Sequence, residues 1–109
     1  MDDADLDMTL KASLFGAVGT CGQRCTTLRR LYLHENIYES FKEKLVKAYA
    51  SIPIGDPLEQ GTLCGPLNNI NSVNLYLDTL EMVKKEGGKI LCGGKRLERK
   101  GFFVEPVVV

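Results

Sequence analysis

Leu6, Leu10, Leu14 and Val18 recur at every fourth position with Ala17 beside them, so the spacing predicts a helix over 6–18 that buries one stripe. Asp2, Asp3, Asp5 and Asp7 put negative charge at the positive end of its dipole. Gly16, Gly19 and Gly22 then accumulate, and a helix running into a tight loop follows. Leu28 to Leu33 is short, rich in large apolar residues and closed by His34-Glu35-Asn36, which reads as a strand ending in a turn. The helical period returns with Ile37, Phe41, Leu45, Ala48, Tyr49 and Ile52, opposite Glu39, Lys42, Glu43 and Lys47. Asn36 is its expected N-cap, and Pro53 with Gly55-Asp56-Pro57 ends it.

A third helix is signalled by Ile70, Val73, Leu77, Leu80 and Val83, with Asn68-Asn69 as caps and Lys84, Lys85 and Gly87-Gly88 at its close. Ile90-Leu91-Cys92 then reads as a strand, Gly93-Gly94 as its turn, and Phe102 to Val109 as another strand interrupted by Pro106. The order helix, Cys loop, strand, two helices, two strands suits an α/β layer arrangement in one partial domain over 1–109. The last strand reaches Val109 without a closing turn and the strands lack a full set of neighbours, so the expectation is a piece of a larger catalytic domain.

The 109 residues carry 14 Lys+Arg against 14 Asp+Glu, which removes the basic stripe that a nucleic-acid binder needs. No apolar run approaches the roughly 20 residues of a membrane-spanning helix. The acidic start resembles neither a secretory signal nor a transit peptide. Four cysteines without such a signal read as reduced thiols in a cytoplasmic compartment, with a mitochondrial one left open for an intact parent.

The chemistry concentrates in Gly19-Thr20-Cys21-Gly22-Gln23-Arg24-Cys25-Thr26-Thr27, where a thiol sits between a glycine turn and hydroxyl residues. A cysteine attacks a carbonyl as thiolate, which a neighbouring cation favours, and Arg24 and Arg30 are candidates. On spacing alone, a cysteine in such a loop is more often a small buried apolar residue.

Gly22-Gln23-Arg24-Cys25-Thr26-Thr27-Leu28-Arg29-Arg30-Leu31 resembles the active-site cysteine segment of the aldehyde dehydrogenase superfamily, and within it the antiquitin (α-aminoadipic semialdehyde dehydrogenase) branch. The superfamily usually carries a smaller residue where Thr27 stands, a departure that favours this branch, and Cys21 also replaces a usually small residue. The resemblance continues in order through Leu63-Cys64-Gly65-Pro66-Leu67, Lys84-Lys85-Glu86-Gly87-Gly88 and Phe103-Val104-Glu105-Pro106.

What the resemblance implies is NAD-dependent oxidation of an aldehyde to a carboxylate, with Cys25 attacking the aldehyde carbon and its own backbone N–H helping to bind the oxyanion. The thiohemiacetal would pass hydride to NAD, leaving a thioester for hydrolysis. The branch implies α-aminoadipic semialdehyde as the small-molecule substrate, in lysine degradation, and a homo-oligomer for the intact parent. The family's Glu-Leu-Gly-Gly base segment, its oxyanion-hole Asn, the Rossmann-like NAD portion and its Glu-x-Phe segment have no counterpart in these residues. Cofactor-binding residues are therefore unassigned, and the polypeptide alone is expected to be inactive. An alternative is a non-catalytic truncated subunit that binds a full-length aldehyde dehydrogenase through the apolar Phe102-Phe103-Val104 and Val107 to Val109 edge.

Other patterns read as structure. His34, nine residues after Cys25, suits a solvated turn better than a Cys-His dyad. Cys21, Cys25, Cys64 and Cys92 contain no Cys-x-x-Cys pair, which argues against a zinc site. Gly87-Gly88 and Gly93-Gly94 lack the pattern of a phosphate loop.

Overall fold

A computed structural model describes residues 2–109. Three α-helices carry the fold: α1 Leu6–Val18, α2 Glu35–Ala50 and α3 Ile70–Lys85. Each begins on a side-chain acceptor. Asp5 accepts from the N–H groups of Asp7 and Met8, and Asn69 Oδ1 accepts from Ser72 N–H at 2.9 Å. The α2 cap is His34, whose Nδ1 accepts from Asn36 N–H at 3.2 Å. Asn36 therefore lies inside the first turn of α2 and is not its cap, because the helix begins two residues earlier than the apolar period does.

The ends follow equally local rules. Gly87 takes a positive φ of 84° after α3. Its N–H reaches the Lys84 carbonyl at 3.1 Å and that of Gly88 reaches Val83 at 2.8 Å, the paired bonds of a Schellman cap. A Cβ on Gly88 would meet Val83 Cγ1 at 2.7 Å, so this second glycine is required by close approach.

The apolar stripes face inward as their period requires. Val18 at the end of α1, Ile52 just past α2 and Cys64 form a buried cluster, flanked by Leu14, Ala17, Cys21, Tyr49 and Ile54. Phe41 of α2 and Val73 of α3 are fully buried. Helices α1 and α2 are also joined by Lys44 to Asp7 at 3.1 Å, an exposed pair that contributes little.

The extended segments depart from expectation. Leu28 to Leu33 is extended but has no ladder partner among the described residues, and its recorded backbone bond runs from Leu28 N–H to the Gly16 carbonyl at 2.9 Å. Side-chain pattern selects an extended backbone, whereas a strand also needs a neighbour to exchange hydrogen bonds with. The two C-terminal segments do pair, antiparallel, through the isolated bridges Cys92 with Val108 and Arg96 with Val104. Gly93-Gly94 is not their turn: the chain reverses at 98–101. Both glycines have positive φ, 71° and 93°, and interrupt the pairing opposite Pro106, which has no N–H to donate. A Cβ on Gly93 would collide with the Pro106 carbonyl oxygen. The α/β order thus exists as three helices with paired extended segments in place of a continuous sheet.

Helix α3 lies on this hairpin: the Tyr76 hydroxyl donates to the Glu105 carbonyl at 2.5 Å, and Gly94 sits against Leu80 and Val107. Burial pushes the Tyr76 phenol above its ordinary range. Phe41→Ala is expected to destabilise by about 3–5 kcal/mol, and Asn69→Ala by about 1 kcal/mol. Urea unfolding followed by circular dichroism checks both the size and the order of the two effects.

Candidate functional site

Cys25 is exposed, at the second position of a β-turn over Arg24–Thr27. Thr27 closes that turn twice. Its N–H donates to the Arg24 carbonyl at 3.2 Å, and its Oγ1 accepts from Arg24 N–H at 3.1 Å. The same hydroxyl lies 3.0 Å from the carbonyls of Gly22 and Arg24, either of which can accept its proton. A residue without this hydroxyl would leave the Arg24 N–H unpaired. Among the described residues the N–H groups of Cys25 and Thr26 have no hydrogen-bond partner.

The approach to the turn is unusual backbone. After α1, Thr20, Cys21 and Gly22 are consecutively left-handed, with φ of 53°, 55° and 69°. Only glycine adopts this region without cost, so Thr20 and Cys21 hold strain of order 1–2 kcal/mol each. Gly22 also needs the space, since a Cβ would stand 3.3 Å from the Ala17 carbonyl oxygen.

What holds the strained segment is the loop around Gly65-Pro66. Gln23 donates from Nε2 to the carbonyls of Thr20 and Pro66, both at 3.3 Å, and accepts at Oε1 from Asn68 N–H at 2.9 Å. Cys21 donates to the Gly65 carbonyl at 2.8 Å. Leu67 N–H continues the connection to the Phe102 carbonyl at 2.8 Å. The Cys25 motif, Gly65-Pro66 and the segment leading to Glu105-Pro106, separated in sequence, are thereby joined into one hydrogen-bonded unit.

The other candidates fall elsewhere. Arg24 sends its guanidinium back to α1, donating to the Phe15 carbonyl at 2.6 Å and lying 4.7 Å over the Phe15 ring. It anchors the loop to the helix and is spent as a cation for the thiol. A Cβ at Gly19 would strike that guanidinium and make it shift. Arg30 is exposed, with no ion pair or side-chain hydrogen bond among the described residues. His34 is committed as the α2 cap. The four thiols do not gather: Cys92 lies on the hairpin, and no group of three metal-ligating side chains occurs among the described residues.

Cys64 donates its thiol hydrogen bond to Cys21 Sγ at 2.9 Å. That bond holds the Cys21 thiol below its ordinary range, against the effect of burial, and pushes Cys64 above it. Sequence reasoning missed this contact, the Gln23 clamp and the Thr27 latch. The last two leave a faint signal, polar side chains among Gly-Pro loops, while the cysteine pair spans loops that no spacing rule connects.

The sequence model of the aldehyde dehydrogenase family matches residues 1–109. The chain is 50% identical over 109 residues to "Aldehyde dehydrogenase family 7 member A1" of Brassica napus, covering all of this chain and 22% of that protein. It is 48% identical over 108 residues to "Alpha-aminoadipic semialdehyde dehydrogenase" of Bos taurus, 99% of this chain and 20% of that one. The structure superposes on the NAD+ complex of an aldehyde dehydrogenase from Bacillus cereus with a TM-score of 0.93 at 33% identity, over 98% of this chain and 22% of the other. The chain therefore belongs to the aldehyde dehydrogenase family, and it spans about a fifth of the length of these relatives.

Thr27→Val, which keeps the shape but removes the hydroxyl, is expected to destabilise by about 1–3 kcal/mol because the Arg24 N–H loses its acceptor. Thr27→Ser should recover most of that loss. Urea midpoints of the three proteins decide it; equal midpoints for Val and wild type would exclude the latch.

Proposed function

We propose that Cys25 is the nucleophile of an NAD-dependent aldehyde dehydrogenase of the α-aminoadipic semialdehyde type. The observation that carries this reading is the presentation of Cys25: an exposed thiol on a turn whose neighbours are tied down on both sides. Gln23 and Thr27 restrict the loop, so a thiolate there meets an aldehyde carbon with little orientational freedom left to lose. Attack forms the C–S bond of a thiohemiacetal, and the negative charge develops on the former carbonyl oxygen. The unpaired N–H of Cys25 is the donor available to that oxygen. The relatives' names support the substrate class.

The chemistry of these residues extends as far as that adduct. Neither glycine pair forms a dinucleotide cradle: Gly87-Gly88 is a helix cap packed on Val83, and Gly93-Gly94 is pressed against Pro106. Neither presents a row of N–H groups at the start of a helix. Oxidation of the adduct and hydrolysis of the resulting thioester require groups that the intact relatives supply.

A second reading is favoured by an open apolar groove of about 600 Å³ between Leu28–Leu31 and Val107–Val109, with Tyr49 and Tyr76 in its walls. Unpaired extended backbone beside such a groove suits docking to a larger aldehyde dehydrogenase chain. Co-purification with a full-length relative would support this docking, and a monodisperse monomer in the presence of that relative would count against it.

The 109-residue polypeptide alone is expected to give no NAD-dependent oxidation of α-aminoadipic semialdehyde, and detectable NADH formation would refute this. A full-length relative in which this chain replaces the matching segment should oxidise the aldehyde. Cys25→Ser in that chimera should lower kcat by about 10⁴-fold or more; retained turnover would remove Cys25 from the reaction.

A further inference from the structure

Cys21 and Cys64 are 43 positions apart, on different loops, yet their sulfurs stand 2.9 Å from one another. A disulfide requires about 2.05 Å, so a closing shift of roughly 0.9 Å separates the dithiol from the bonded state. The aldehyde chemistry of Cys25 has no use for this pair. Cys64 is 2% exposed, within the core cluster formed with Val18 and Ile52. Cys21 is half-buried and lines a cleft with Thr20, Gln23, Pro57, Thr62 and Pro66.

We infer that Cys21 and Cys64 form a redox-modification site, a dithiol that a hydroperoxide converts into a disulfide joining the nucleophile loop to the Gly65-Pro66 loop. The two cysteines divide the work. The Cys64 hydrogen bond favours the Cys21 thiolate, and Cys21 is half-buried where Cys64 is buried, so Cys21 meets the oxidant and Cys64 resolves. In the first step the Cys21 thiolate attacks the outer peroxide oxygen. The O–O bond breaks, the departing alkoxide takes the proton released by the Cys21 thiol, and Cys21 becomes a sulfenic acid. In the second step the Cys64 sulfur attacks the Cys21 sulfur. The S–S bond forms, the S–O bond breaks, and the hydroxyl leaves with the Cys64 proton as water. Two thiols lose two electrons and two protons, and the hydroperoxide is reduced to an alcohol and water, or to two waters when it is hydrogen peroxide.

The bond would reinforce an attachment already present. Gln23 and the Cys21 hydrogen bond hold the same two loops, and the disulfide replaces a reversible contact by a covalent one. Cys25 stays outside the bond, exposed on its own turn.

The test is limiting hydrogen peroxide on the native chain, maleimide capture of the remaining thiols, and peptide mapping by mass spectrometry without reduction. The expected product has lost the mass of two hydrogens, carries a Cys21–Cys64 cross-link with Cys25 and Cys92 alkylated, and reverts with dithiothreitol. The same treatment in concentrated urea should give a mixture of pairings, because proximity is then lost. Cys21→Ser and Cys64→Ser should each abolish the cross-link, and Cys92→Ser should leave it intact. A native pairing pattern identical to that in urea would overturn the proposal. So would oxidation confined to Cys25 while Cys21 and Cys64 both remain alkylatable.

Discussion

The Gln23 side chain is the interaction on which the rest of the site depends. One amide spends its donor and acceptor capacity on Thr20, Pro66 and Asn68, so two loops on either side of α2 in the chain share a single hydrogen-bonded centre. Backbone groups in loops must find partners when helices and sheets do not supply them, and here a side chain supplies them. The consequence reaches in both directions. Upstream, the clamp closes over the left-handed turn of Thr20, Cys21 and Gly22; downstream, the Leu67 bond to Phe102 ties the same centre to the hairpin.

Strain and restraint are balanced within a few residues. Thr20 and Cys21 occupy backbone conformations that disfavour a Cβ, and such conformations persist where the surroundings over-determine them. Arg24 anchored on Phe15, Gln23 bridged to Pro66 and Thr27 latched to Arg24 are those surroundings. The turn carrying Cys25 is therefore rigid at its flanks and open at its tip, which is what an attacking group needs: fixed position and access.

A different part of the molecule is packed less completely. Tyr32 is 86% and Leu58 93% exposed, and Leu28 to Leu33 runs extended beside an apolar groove. These side chains have the composition of a core and the exposure of a surface. The three helices bury their stripes well enough to position the cysteine loop, while the extended segments hold backbone groups and apolar faces without partners among the described residues.

The sequence by itself determined the helices and the Cys25 motif. A period of 3.6, caps at Asp5 and Asn69 and the glycine stop at Gly87-Gly88 are local consequences of backbone geometry, each readable within one turn of its residue. It also determined the family, through ordered motifs that place Cys25 in a known segment. It misled at Leu28 to Leu33 and at Gly93-Gly94. Side-chain pattern reports which face is apolar but not whether a neighbouring backbone is present to pair, and two glycines serve a break in a ladder as readily as a turn. It also mistook Arg24, whose charge is legible in sequence but whose direction is not. Only the tertiary structure decided that Gln23 meets Pro66 and that Cys21 meets Cys64. Those contacts join residues up to 45 positions apart, and the physical reason is that a loop's hydrogen bonds are satisfied by whatever the fold brings alongside it.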